Sequence, residues 1–91
     1  MRFIRTDNFK RSFKKLPDAM KRSAEKALRL FAKNPRYPSL RVKKMQGQYD
    51  ADGRDIWEAR ISQKYRFTFV IDADIYILYR IGPHDIERDP F

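Results

Sequence analysis

The spacing of apolar residues changes as the chain is followed from one end to the other, and each change marks a new kind of element. Phe3 and Ile4, flanked by Arg2 and Arg5, predict a short first strand. Thr6 or Asp7 can then cap a helix by accepting a hydrogen bond from a free backbone N–H. Phe9, Phe13 and Leu16 fall at i, i+4 and i+7, one face of an α-helix, with Lys10, Arg11, Lys14 and Lys15 outside it. Pro17-Asp18 breaks this pattern and restarts it, because proline is tolerated in a first helical turn. Met20, Ala24, Ala27, Leu28 and Phe31 continue at helical spacing until Asn34-Pro35 stops the second helix. The pair reads as a helical hairpin, apolar inside and basic outside.

After Pro38 the period falls to two. Leu40 and Val42 alternate with Arg41, Lys43 and Met45, so the first two are expected to point inward from a second strand and the others outward. Residues 47–55, with two glycines and three aspartates, read as a polar turn. Three strands follow at residues 56–61, 65–71 and 75–82, separated by Ser62-Gln63-Lys64 and by the tight Asp72-Ala73-Asp74, a spacing that suits antiparallel hairpins. The expected fold class is α+β, in the order β-α-α-β-β-β-β, with the helical hairpin on one face of a mainly antiparallel sheet.

Length and composition narrow this further. Ninety-one residues predict one domain, residues 1–91, with a modest core. The chain has no cysteine, which excludes a disulfide framework and a thiolate metal site. No apolar run approaches the ~18 residues a membrane span needs, and Met1 to Arg5 is too short and too interrupted for a signal peptide, so the cytoplasm is the expected location and no membrane partner is expected. Charge changes the picture more. The net +9 is unevenly spread: residues 1–45 hold fifteen basic and three acidic residues, whereas residues 46–91 hold six and nine. One strongly positive half gives an electrostatic reason to meet a polyanion.

Parity along the strands sorts the remaining candidates. In the third strand Trp57, Ala59 and Ile61 point one way, Glu58 and Arg60 the other. Tyr65, Phe67, Phe69 and Ile71 are expected on the apolar side of the fourth, with Arg66, Thr68 and Val70 opposite. In the fifth, Ile75, Ile77, Tyr79 and Ile81 are expected inside, and Tyr76, Leu78 and Arg80 outside, where Tyr76 could stack a base. An open sheet face would thus collect Arg41, Lys43, Glu58, Arg60, Arg66 and Arg80, with His84 just beyond the last strand. Guanidinium forks match phosphate oxygens; the same alternation also describes an ordinary solvent face with Glu–Arg cross-strand pairs. Asp50, Asp52 and Asp55 crowd one loop, but loop aspartates commonly just favour turns, and neither a metal nor any other cofactor is expected.

The run Ile56-Trp57-Glu58-Ala59-Arg60-Ile61-Ser62-Gln63-Lys64-Tyr65-Arg66-Phe67-Thr68-Phe69 resembles the RelE/ParE toxin superfamily. Ile81-Gly82-Pro83-His84-Asp85 looks like its closing motif, and Leu40-Arg41-Val42-Lys43-Lys44-Met45-Gln46-Gly47 like its second strand. The resemblance covers nearly the whole chain and implies a ribosome-associated endoribonuclease acting on mRNA, held in check by a cognate antitoxin protein. It implies Arg66 on the scissile phosphate, His84 as the general acid and Arg60 as a further basic active-site group. Glu58 departs from the pattern, since some relatives carry lysine there, and its part would be the general base. Phe91 stands where some members place a tyrosine near the C-terminus, leaving only stacking to that position. Lys43 and Lys44, with Arg41 and Arg80, would touch RNA phosphates. So would Lys10, Arg11, Lys14 and Lys15, which are expected to lie across the domain from Arg66 and His84. Two alternatives stay open: a ParE-like gyrase inhibitor without nuclease activity, and a non-catalytic module that binds RNA or an antitoxin.

Overall fold

Thr6 begins the helical layer and ties it to the sheet. In the computed structural model, which describes residues 2–91, its hydroxyl oxygen accepts from the Phe9 amide at 3.1 Å and donates to the Leu78 carbonyl at 2.9 Å. Helix α1 (Asp7–Lys14) buries Phe9; α2 (Asp18–Lys33), entered through Pro17, buries Ala24, Ala27, Leu28 and Phe31. These are the positions that helical periodicity selects.

Among the described residues the sheet has five strands, β1 (Arg2–Arg5), β2 (Lys43–Tyr49), β3 (Asp55–Arg60), β4 (Tyr65–Asp72) and β5 (Ile75–Pro83), in the spatial order β1-β5-β4-β3-β2. β1 runs parallel to β5 and every other neighbouring pair is antiparallel. Both helices pack on one face. Phe31 is the hub, with ring centroids 5.1 Å from Phe67, 4.8 Å from Phe69 and 5.6 Å from Phe3, in edge-on geometries that aromatic quadrupoles favour. The α+β class, the element order and the helix-on-sheet layering are as the sequence predicts.

Three expectations need correction. The second strand does not start at Leu40. Pro38–Leu40 form a 3-10 turn, as suits a proline at a first helical position, and Leu40 is buried as its last residue. Arg41 then takes a left-handed conformation (φ 45°), which costs a non-glycine residue about 1–2 kcal/mol, and the strand begins only at Lys43. It continues past Gly47, whose φ of 74° accommodates a slip in register, so the polar turn shrinks to residues 50–54.

The second correction concerns β5. Thr68 pairs with Arg80 but Phe69 pairs with Leu78, so one extra residue bulges out of β5. Ile81 and Arg80 keep their predicted sides; below the bulge the parity inverts. Leu78 and Tyr76 therefore face the helices, Tyr76 packing 5.5 Å from both Phe3 and Phe31, and the idea of Tyr76 as an outward stacking platform is wrong. Ile77 instead lies opposite Val70 on the other face.

Third, that other face is not open. Thr68 and Val70 are fully buried. After β5, a 3-10 turn at His84–Arg88 and the last three residues fold back over the sheet. The Thr68 hydroxyl donates to the Pro90 carbonyl, Arg80 pairs with Asp89 at 3.0 Å, and Phe91 packs edge-on against Tyr79. The Asn8 amide donates to the Phe91 carbonyl. Ile86 is the apolar anchor of this strap and approaches Gly82 so closely that a Cβ there would stand 3.1 Å from its Cγ2. The strap leaves one end of the face uncovered, and the charged residues gather there.

Candidate functional site

The β3–β4 turn organises the uncovered end. Its Ser62 and Tyr65 carbonyls accept from Arg66 Nη1 at 2.5 and 3.1 Å, and its Lys64 carbonyl accepts from the His84 amide at 2.7 Å. One short turn thus fixes both the arginine of β4 and the start of the C-terminal strap. The register places Arg60 directly opposite Arg66. Like charges facing each other across a ladder repel, and the partners fixing the Arg66 head are neutral carbonyls, so the pair keeps its capacity for an anion.

Glu58 lies two positions before Arg60, hence on the same face, opposite Thr68 on one side and Lys43 on the other. It is 2 % exposed. Oε1 lies 3.3 Å from Lys43 Nζ, whereas Oε2 is buried without a hydrogen-bond partner. Burial pushes its pKa above the ordinary carboxylate value, the neighbouring Glu87 carboxyl pushes the same way, and Lys43 opposes both. Glu58, Arg60, Arg66 and His84 all line one cleft of about 600 Å³, with Arg41 and Lys43 on its β2 side and Glu87 on the strap side. A desolvated carboxyl, an exposed imidazole and converging guanidinium groups can bind a phosphodiester and move protons around it.

The other sequence candidates fall elsewhere. Lys44 sits opposite Trp57, on the helix-bearing side of the sheet, and lies 3.9 Å from Asp55; the Lys43-Lys44 pair is split between two faces. Arg80 is on the predicted face but is bound to Asp89 and lines a separate recess, not the cleft. Lys10, Arg11 and Lys14 are exposed along α1 and Lys15 at its C-cap. Lys15 borders that same recess together with Pro83 and Asp85, the neighbours of His84, so it does not lie across the domain from the cleft as expected. Phe91 is occupied with Tyr79. Asp50 serves the turn: it accepts from the Asp52 and Arg54 amides and from the Arg54 guanidinium.

Glu87 escapes a reading by strand parity because it follows the last strand. Its signal was the three-residue step from His84 behind a proline. In a 3-10 helix residues i and i+3 eclipse each other, which brings both side chains to the same side.

No family model matches the sequence, and no curated protein matches it. Solved structures do. The RelE–RelB complex of Pyrococcus horikoshii OT3 matches at a TM-score of 0.68 with 19% identity, over 90% of this chain and 92% of that one. YafQ of E. coli matches at 0.72 with 12% identity, over 93% and 96%. The YoeB/ParE toxin of Agrobacterium tumefaciens matches at 0.70 with 17% identity, over 92% and 99%. The fold is that of the RelE-type toxins. Within this RelE-like fold, the cleft lies between the end of the β3–β4 hairpin and the C-terminal strap, bordered by the edge strand β2.

Proposed function

We propose that the chain is the toxin of a type II toxin–antitoxin pair and a metal-independent endoribonuclease that cleaves mRNA on the ribosome, thereby inhibiting translation. The observation that carries this reading is the convergence of Glu58, Arg60, Arg66 and His84 in one cleft. The structural neighbours support it, since they are toxins and several were solved as complexes with an antitoxin, such as RelE with RelB. The basic N-terminal half supports a polyanionic substrate.

In this mechanism Glu58 takes the proton of the ribose 2′-OH, and the oxygen attacks the adjacent phosphorus. Arg66 and Arg60 stabilise the charge that builds on the phosphorane oxygens. The bond to the 5′-oxygen breaks as His84 gives that oxygen a proton, leaving a 2′,3′-cyclic phosphate and a 5′-hydroxyl. Each proton-transfer group contributes ~10²–10⁴ in rate.

The test is cleavage of a translated mRNA by the purified protein with ribosomes and EDTA, followed by end-group analysis. Cyclic phosphate ends are expected. A strict need for Mg²⁺ overturns the mechanism, and inhibition of DNA gyrase without RNA cleavage replaces the reading with the ParE-like one.

A further inference from the structure

The cleft contains a second carboxyl that the mechanism above does not use. Glu87 enters from the C-terminal strap, on the same side of its turn as His84, and stands against the buried Glu58. Lys43 reaches only Oε1; Oε2 is enclosed and finds no donor. A buried carboxylate oxygen without a donor is costly, and two carboxylates brought together cannot both stay ionised cheaply. A proton on Glu58 resolves both problems, because a carboxylic acid donates where a carboxylate cannot. The cations around the pair are Arg41 and Lys43 beside β2, Arg60 on β3 and Arg66 on β4, with His84 on the strap itself. Of these, Lys43 forms the ion pair with Glu58, and Arg66 is directed at backbone carbonyls.

We propose that Glu87 is the proton partner of Glu58: the Glu58 carboxyl keeps its proton by donating it to Glu87, and release of that proton to solvent makes Glu58 a working base. Glu87 is thus a positioning residue acting through Glu58, and the inference rests on the reading of Glu58 as the base. The device sets the pH at which cleavage switches on and raises the basicity of the group that takes the 2′-OH proton.

The experiment compares the protein with its Glu87→Gln and Glu87→Asp variants in two ways. The first follows the Glu58 side-chain carboxyl by ¹³C NMR through a pH titration of the free protein, with no RNA present. The Glu58 midpoint is expected to fall in Glu87→Gln by about one pH unit or more and to stay raised in Glu87→Asp. The second is the pH dependence of single-turnover cleavage. The acid limb should move down with the NMR midpoint, so that on that limb Glu87→Gln cuts faster than the parent, by up to about tenfold for every pH unit the midpoint falls. A residue that only braced the strap would slow cleavage at every pH. An unchanged Glu58 midpoint in folded Glu87→Gln overturns the proposal. A lowered midpoint with no cleavage by any variant at any pH leaves the carboxyl pair standing and removes the nuclease reading instead.

Discussion

Asp50 and Glu58 are both buried carboxyls, eight residues apart in the same hairpin, and their surroundings are opposites. Asp50 Oδ1 accepts from the Asp52 amide at 3.0 Å and the Arg54 amide at 2.8 Å; Oδ2 receives the Arg54 Nε at 2.7 Å and the Tyr79 hydroxyl at 3.3 Å. Burial alone would push its pKa up, but the Arg54 amide and guanidinium and the Asp52 amide more than offset that, and the net shift is downward. The same cluster holds Arg54 against Asp52 and Asp72. Glu58 has one lysine, one orphan oxygen and a second carboxyl as its neighbours, and its pKa moves upward. A fully satisfied carboxylate rigidifies a turn; a half-satisfied one is held where its proton is easily exchanged. The first arrangement stabilises the fold, and the second stores an imbalance where chemistry can use it.

The sharpest break of this comparison is Glu58→Gln. Cleavage should fall by ~10²–10⁴, the loss expected of a missing general base. Stability at neutral pH should rise, because an amide removes the charge that burial penalises. The sign follows from linkage. A carboxyl whose folded pKa is raised contributes stability that is fully present below its unfolded value, near 4.5, and lost as pH rises through the folded value. Urea denaturation of parent and variant from pH 4 to 8 should therefore diverge with rising pH. Curves that run parallel sink the idea that Glu58 is held under strain.

Arg66→Ala and His84→Gln test the rest of the cleft at comparable size. Arg66→Ala should abolish detectable cleavage while the far-UV circular dichroism is retained, since the side chain bonds two carbonyls of an exposed turn and fills no core position. His84→Gln should cost ~10²–10⁴ in single-turnover rate with little change in denaturation midpoint, because the residue is exposed and its backbone amide makes the anchoring bond. Wild-type rates from either variant would remove that residue from the mechanism.

Asp50→Asn should do the reverse of Glu58→Gln. Stripping the carboxylate from its donors should cost about 1–3 kcal/mol of stability with cleavage of bound substrate unchanged. Here the folded pKa is depressed, so the contribution is present above the unfolded value near 3.8 and lost as pH falls through the lower folded value. The gap between parent and variant in urea titrations should close below that pH. A gap that persists in acid assigns the loss to packing, not to the charge.

What the sequence made legible follows the same division. Helical spacing located Phe9, Ala24, Leu28 and Phe31 because a buried stripe must repeat every 3.6 residues. Parity placed Glu58, Arg60 and Arg66 on one face because β3 and β4 pair without a slip between Arg60 and Trp57. It failed for Tyr76 and Leu78 because a bulge after Leu78 inserts one residue, and a one-residue slip turns over every side chain on the far side of it from Arg80 and Ile81. It misplaces the start of β2 because Pro38 favours a helical turn over a strand, which the alternation of Leu40 and Val42 conceals, although Arg41 still lines the cleft. The cover on the second face leaves no local pattern, because its contacts join residues far apart in the chain, such as Thr68 with Pro90 and Asn8 with Phe91. Glu87 escapes parity because it follows the last strand, and only its three-residue step from His84 marks it.

The smallest expected effect lies outside the carboxyl pair and concerns how the substrate is held. Lys10, Arg11, Lys14 and Lys15 are exposed on α1 and at its C-cap, within the half of the chain that carries the positive charge, and make none of the ion pairs that fix Arg54 or Arg80. Contacts of this kind position RNA without reading it, so each is replaceable, yet together they make affinity fall steeply with salt. Changing all four to Gln should weaken ribosome or RNA binding and flatten the slope of log affinity against log salt by up to about one unit per lost phosphate contact. Lys15, unlike Lys10, Arg11 and Lys14, lines the recess beside Pro83 and Asp85, the neighbours of His84. Restoring Lys15 alone in the quadruple variant separates the two groups: the salt slope should recover by about one unit while cleavage of bound substrate stays as in the parent throughout. If the quadruple variant binds as the parent does at every salt concentration, the basic face of α1 is a solvated surface or an antitoxin-docking surface, and the cleft alone holds the RNA.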